Sequence, residues 1–561
     1  MQRQNQQPYL QLGGDSDWWK GAVIYQIYPR SYQDSNGDGI GDLPGIIQRL
    51  PYIAALGADA IWISPFFTSP MKDFGYDVAD YCDVDPLFGV LDDFKTLLSS
   101  AHQLGVRVLI DLVLSHTSDQ HPWFVESRAS DTNVKADWYV WADAKEESSP
   151  PTNWLSIFGG SAWEWDAHRH QYYLHNFLTS QPDLNFHNRD VQDALLAVVR
   201  FWLDLGVDGF RLDTVNMYVH DQQLRDNPPI GDKRVNGIDA TNPYALQEPL
   251  YNITRPENLA FLERLRGVMD AYPAVTSVGE LGAVTDMYAR IAEYTETGKR
   301  IHMAYSFDFM TNEFSAAHIR RVAENMQAKG GGWACWAFSN HDVMRVVSRW
   351  GLEPQAAPLL VAILTSLRGS ACLYQGEELG LPEAEIAFED LQDPFGIRFW
   401  PEYKGRDGCR TPMPWRDGAN AGFSPEGVKT WLPVPAVHQA LAVEVQEIAA
   451  DSVLQRVSTF LHWRKQQPDL LSGDCQFLDA PEPLLVMLRG QVCCLFNLGS
   501  AVQTYVLPEE MVLNPLAANN GLGGRCEGNT VYLGGYGAWF ADIDWCQESD
   551  SNQHVVTSER F

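Results

Sequence analysis

Short runs of β-branched and aromatic residues alternate along the chain with longer segments whose apolar positions recur at helical spacing. Eight such runs predict strands at Ala22–Tyr28, Ala60–Pro65, Val106–Leu114, Val207–Thr214, Thr276–Leu281, Met303–Phe309, Cys335–Asn340 and Ala371–Gln375. The first intervening segment, Leu43–Leu56, carries Ile46, Ile47, Leu50, Ile53 and Ala54 near a period of 3.6, and Gly57 is placed to stop it. Eight strands alternating with helices predict an α/β fold, a (β/α)₈ TIM barrel.

Two insertions interrupt the alternation. Residues 117–189, after the third strand, are rich in Trp, Ser, Pro and Asn and far exceed an ordinary βα loop. Leu381–Trp415, after the eighth strand, is punctuated by Pro and Gly. From about Gly473 the pattern changes to short apolar runs such as Leu484–Leu488 and Val492–Phe496, separated by Gly, Asn and Pro, which predicts a β-sandwich. The expected organisation is a barrel over 1–116 and 190–472, an inserted domain over 117–189, and a sandwich over 473–561. Gln547–Phe561 reads as a polar tail of that last unit.

Three of the runs lead to carboxylates, at Gly209–Asp213, Val278–Glu280 and Ser339–Asp342. In a barrel enzyme the chemistry sits at the C-terminal ends of the strands. Retaining glycoside hydrolysis needs one carboxylate nucleophile and one carboxylic acid flanking the scissile bond. A strand period of two puts Arg211 and Asp213 on one face, with Phe210 and Leu212 on the other. A buried Arg beside Asp favours the ionised carboxylate, which suits a nucleophile.

These three segments, together with collinear stretches from Trp18-Trp19-Lys20 to Arg410-Thr411-Pro412-Met413-Pro414-Trp415, resemble the α-amylase superfamily of glycoside hydrolases, in its α-glucosidase/oligo-1,6-glucosidase branch. The resemblance implies that Asp213 is the nucleophile, Glu280 the acid/base and Asp342 a third acid that binds ring hydroxyls. Charge from Asp213 and Asp342 should raise the Glu280 pKa. The resemblance makes residues 117–189 the family's domain B and His116 and His341 hydroxyl-binding histidines. In Lys72-Asp73-Phe74-Gly75-Tyr76-Asp77 it makes Asp73 the grip on the non-reducing glucose and Tyr76 the ring beneath it, which implies exo action. Phe158 and Phe177 match aromatic pocket walls, and Gln181 and Arg410 match polar contacts. Phe74 and Ser115 depart from the commoner Asp-Asn-Gly-Tyr and Val-Asn-His patterns, so the pocket's shape is open there. Thr214, directly after the nucleophile, implies a preference for α-1,4 over α-1,6 bonds, with its hydroxyl expected to border the leaving sugar.

Asp34-Ser35-Asn36-Gly37-Asp38-Gly39-Ile40-Gly41-Asp42 offers oxygen donors at alternate positions, as hard cations prefer. It is not an EF-hand, because Gly45 stands at the twelfth position and a strand precedes it. The family resemblance implies a structural Ca²⁺, or Mg²⁺, held by Asp34, Asn36, Asp38, Asp42 and the Ile40 carbonyl.

Composition narrows the partners. Lys and Arg number 41 against 72 Asp and Glu, a formal charge of −31, which disfavours nucleic acid and anionic membranes. No apolar run reaches the ~18 residues of a membrane span. The 9 Cys are scattered without a Cys-x-x-Cys pair, as in a reduced cytoplasmic protein, and Met1–Asp17 has no signal-like apolar stretch. The expected partners are small α-glucosides, maltose-like oligosaccharides or sucrose, taken as substrates by a monomer or a homo-oligomer. A trehalose synthase or sucrose isomerase is the nearer rival, although the Arg-Leu-Asp-Arg-Asp loop of sucrose isomerases is absent. A non-catalytic, partner-binding scaffold is the more distant one, and all three acids argue against it.

Overall fold

The eight expected strands close into one parallel barrel, each strand pairing with its neighbours in sequence order. They are β1 (Val23–Ile27), β2 (Ala60–Ile63), β3 (Arg107–Leu112), β4 (Gly209–Leu212), β5 (Thr276–Glu280), β6 (Met303–Tyr305), β7 (Trp333–Ala337) and β8 (Ser370–Tyr374). A computed structural model describes residues 12, 14–296, 298–329, 332–508, 511–516 and 521–545. The expected tail Gln547–Phe561 lies outside the described residues.

Side-chain alternation sorts the strands into two apolar layers. Ile24, Trp62, Leu109, Val278, Met303 and Cys335 fill the barrel interior. Ile61, Val108, Phe210 and Leu212 face outward into the larger core under the helices. The expected split of Phe210/Leu212 from Arg211/Asp213 is therefore present. The helix Arg189–Leu205 shows what closes that outer core. It buries Val191, Leu195, Val199 and Trp202 at helical spacing, Asn188 caps its start, and Gly206 (φ 99°) ends it. Fully burying each such side chain contributes about 1.5–3 kcal/mol. Leu43–Leu56 is helical over the expected span, stopped by Gly57 (φ 100°).

The inserted segment after β3 carries a small antiparallel sheet of Trp141–Ala142, Trp163–Asp166 and Gln171–Leu174. A further excursion, between β4 and the helix Asn258–Met269, has no counterpart in the sequence reading. Its residues Arg234, Asn236, Gly237, Ile238, Asp239, Thr241 and Asn242 line the cavity at the barrel mouth. Beyond the barrel, a five-stranded and a three-stranded antiparallel sheet pack face to face around Leu484, Val486, Leu495, Val531 and Leu533. Among the described residues no helix is long and apolar enough to cross a membrane.

Candidate active site

The register of β4 against β5 pairs Arg211 with Val278 and Leu212 with Gly279, so Asp213 and Glu280 follow side by side. Neighbouring strands lie about 4.8 Å apart, so the two carboxyls are neighbours across one strand spacing. Arg211 sits beneath both. Its Nη1 donates to Asp213 Oδ1 at 2.6 Å and to Asp111 Oδ1 at 2.8 Å, while Nη2 donates to Glu280 Oε2. The guanidinium also lies 4.9 Å from the Trp62 ring, and Nη2 donates to the Tyr305 hydroxyl oxygen at 2.9 Å.

One guanidinium (+1) among three carboxyls (−3 if all ionise) leaves −2 in a buried place. Near-neutral pH therefore cannot keep all three ionised. Burial raises the Glu280 pKa, and the charges of Asp213, Asp342 and Asp111 add to it against Arg211, so it is pushed up to about 8. Glu280 accordingly holds a proton at neutral pH, as a general acid must. Asp111 is likewise pushed up, first by burial.

Asp342 behaves oppositely. β7 ends at Ala337, so Asp342 stands beyond the expected strand end, on a turn in which Asn340 Oδ1 accepts its N–H at 2.8 Å. The Ser-Asn pair there makes side-chain-to-backbone bonds that end a ladder. Burial works against ionising Asp342 and is outweighed by His341 and the guanidiniums of Arg406 and Arg410, which hold its pKa below the usual range. Burial keeps His341 itself neutral, so the two arginines are the charges that remain. They bond Asp342 Oδ1 at 3.1 and 2.9 Å.

His341 is fixed on both ring nitrogens, by Gln26 Nε2 at Nδ1 and the Tyr76 hydroxyl at Nε2, each at 2.7 Å. The Tyr76 and His341 rings stack at 5.3 Å with 5° between planes, and the Tyr76 hydroxyl donates to Asp111 Oδ2 at 3.0 Å. His116 Nε2 meets the Tyr76 carbonyl at 3.0 Å. Phe177 lies 5.2 Å from the His116 ring, and Phe158 is edge-on to Phe177 and stacked on Phe395.

Asp73, Tyr76, His116, Phe158, Phe177, Asp213, Thr214, Glu280, His341 and Asp342 line one cavity of about 1080 Å³. Gln181, Arg211 and Arg410 are buried behind that wall and act on it through Asp73, Asp213 and Asp342. Arg410 also donates to the His341 carbonyl through Nε. The group that does reach the cavity is Arg406, which sequence reasoning missed. It ties Asp73, Asp342 and Asp393 together, with bonds of 2.9 Å to Asp73 and 2.8 Å to Asp393. Asp111, Tyr305 and Gln26 were missed as well.

Thr214 lies in the wall, with its hydroxyl 3.2 Å from Asp213 Oδ2 and 3.3 Å from Ser115 Oγ. Its φ of 38° is a left-handed value for a β-branched residue, a strain of roughly 1–3 kcal/mol. The chain turns there because β4 has ended at Leu212 and the next amide, Val215 N, bonds the Glu280 carbonyl at 3.0 Å.

The Asp34–Asp42 loop does not fit a cation as arranged. Asp34 already accepts from Asn36 N, Gly37 N, Gly39 N and Ser424 Oγ, which fills the roughly four lone-pair sites of a carboxylate. Asp42 is the N-cap of Leu43–Leu56 through Gly45 N and also accepts from Ser35. The Asn36 amide nitrogen, not its oxygen, points at Asp38, whose other oxygen accepts from Ile40 N. Among the described residues no group of three or more His, Cys, Asp or Glu side chains converges on a metal position.

A parallel barrel with paired carboxyls across adjacent strand ends, one holding its proton, defines a glycosidic-bond-cleaving site. Residues 26–473 match the family described as "Alpha amylase, catalytic domain". A "Probable alpha-glucosidase" of Rhizobium meliloti (strain 1021) is 57% identical over 95% of this chain and 98% of its own length. An "Oligo-1,6-glucosidase" of Parageobacillus thermoglucosidasius is 35% identical over 88% of this chain and 93% of its own. The crystal structure of an alpha-glucosyl transfer enzyme superposes with a TM-score of 0.91 at 56% identity, covering 94% of this chain and 99% of that one. The chain belongs to the α-amylase family of glycoside hydrolases, in its α-glucosidase branch.

Proposed function

We propose that the protein is an exo-acting, retaining α-glucosidase that removes glucose from the non-reducing end of short α-glucosides. Asp213 attacks the anomeric carbon, and Glu280 protonates the departing oxygen and then activates water. The observation that carries exo action is the Arg406 bridge between Asp73 and Asp342, which closes the cavity behind the sugar that Asp73 grips. A wall at that end would admit a chain terminus and not the middle of a polymer. His116, Tyr76, Phe158 and Phe177 would wall that sugar, and His341 with Asp342 would bind its hydroxyls.

Transfer of glucose to an acceptor other than water is the second reading, favoured by the likeness to the alpha-glucosyl transfer enzyme. Maltose-like sugars are the proposed substrates, with sucrose also accepted. The α-1,4 preference rests on Thr214 and now acts through the wall it forms. Incubation with maltose, isomaltose, sucrose and trehalose tests this directly. Glucose release with kcat/KM higher on maltose than on isomaltose is expected; conversion of sucrose or maltose into an isomeric disaccharide as main product would mark a sugar rearranger instead.

A cytoplasmic location is supported by the eight described cysteines, all free, among them Cys335 and Cys372 with sulfurs 3.4 Å apart. The structural Ca²⁺ or Mg²⁺ of the Asp34–Asp42 loop is a proposal on donor spacing alone, since Asp34 must give up amide contacts to bind it. If the loop takes the ion, prolonged chelation lowers Tm and added calcium restores it, because a bound ligand stabilises the native state. An unchanged Tm with no cation found by metal analysis leaves it a self-satisfied turn.

A further inference from the structure

The two oxygens of Asp213 keep unequal company. Arg211 holds Oδ1, which leaves Oδ2 as the oxygen free to attack. Among the described residues, the hydrogen bond to Oδ2 comes from Thr214 Oγ1 at 3.2 Å. Thr214 Oγ1 also lies 3.3 Å from Ser115 Oγ, and Ser115 Oγ lies 2.9 Å from His116 Nδ1.

The protons on this chain of atoms can be assigned. The Tyr76 carbonyl, 3.0 Å from His116 Nε2, can only accept, so Nε2 carries the ring proton. The Gln181 amide nitrogen near the same atom donates to Asp73 Oδ2. Burial keeps the ring neutral, so Nδ1 accepts and the Ser115 proton is committed to it. Thr214 then has one proton and two acceptors, Asp213 Oδ2 and Ser115 Oγ. An ionised carboxylate is the stronger acceptor. Once Oδ2 is esterified it carries no charge and has a lone pair engaged by carbon, and Ser115 Oγ becomes the better one.

We propose that Thr214, backed by Ser115, is a positioning residue whose hydroxyl follows the charge on Asp213, releasing Oδ2 for attack and re-engaging it as the sugar leaves. The inference rests on the retaining reading above. In the first step the Oδ2–C1 bond forms, the glycosidic C1–O bond breaks, and the leaving oxygen takes the Glu280 proton. The Thr214 hydroxyl turns to Ser115 while keeping its proton. In the second step water adds to C1, gives a proton to Glu280, and the C1–Oδ2 bond breaks. Thr214 then meets the returning carboxylate. The left-handed backbone at Thr214 aims the hydroxyl into this position. Ser115 stands directly before His116 in Leu112-Val113-Leu114-Ser115-His116, so the relay and the histidine that fixes its direction come from one stretch of chain.

A ring-fluorinated α-glucosyl fluoride, which slows both steps and lets the glycosyl-enzyme accumulate, separates them. Intact-mass measurement follows formation and decay of the adduct independently. Thr214→Val is expected to slow decay about tenfold without slowing formation, and Thr214→Ser to restore decay. Ser115→Ala is expected to slow formation about threefold and leave decay unchanged, because the hydroxyl then has only Asp213 to bond. Equal effects on both steps in Thr214→Val, or a Thr214→Ser variant as slow as Thr214→Val, would overturn the relay while leaving retention standing. No covalent adduct in the wild-type protein would overturn retention itself, and the relay with it.

Discussion

Asp213→Asn is expected to lower kcat on maltose by about 10⁴-fold or more, with maltose affinity changed by less than about tenfold. The amide has nearly the shape of the carboxylate and still offers an oxygen to Arg211 Nη1, so the buried pair is not left without a partner. What it lacks is the charge that attacks carbon. Glucose release within about a hundredfold of wild type would mean that another group is the nucleophile. Binding of maltose to the inactive variant, followed by calorimetry, separates loss of chemistry from loss of the fold.

Glu280→Gln is expected to divide substrates by leaving group. With maltose, whose departing glucose oxygen needs a proton, kcat/KM should fall by about 10²–10⁴-fold. With 4-nitrophenyl α-glucoside, whose phenolate leaves unaided, formation of the intermediate should be far less affected. Wild-type kcat/KM should fall as pH rises through about 8, because burial and the neighbouring carboxylates raise this acid and ionisation removes its proton. The sign is fixed: the active form is the protonated one, so the loss is on the alkaline side. The Gln variant should lack that limb on the activated substrate. A uniform loss on both substrates would point to damage at Arg211, which Glu280 Oε2 also binds.

The parts of this architecture that are local were legible in the chain. Period-two alternation placed Arg211 and Asp213 inside the barrel and Phe210 and Leu212 outside, and the periodicity of Leu43–Leu56 gave its helix. Asp111 escaped notice because it lies in the apolar run Arg107–Leu112; only its register opposite Arg211 reveals it. Arg406 escaped because its partner Asp73 is 333 residues away, on the other side of the mouth, and nothing near Arg406 announces an ion pair. Arg410, by contrast, matched a motif yet lies behind Asp342, since a motif match carries no information about which side of a carboxylate an arginine occupies. The Asp34–Asp42 loop is the converse case. Alternate oxygen donors suit a cation, but the same residues also cap a helix and bond their own amides, and here they do so.

The site works by dividing charge. Arg406 and Arg410 keep Asp342 ionised in the cavity wall. Arg211, shared among three carboxyls, cannot neutralise them all, so Glu280 stays protonated beside an Asp213 held for attack. Carboxyls one strand spacing apart go with retention, whereas inversion needs a wider gap that admits a water. The anomeric form of the first glucose released from maltose, followed by proton NMR before mutarotation, tests this most directly. α-Glucose is expected as the initial product; β-glucose would contradict retention through Asp213.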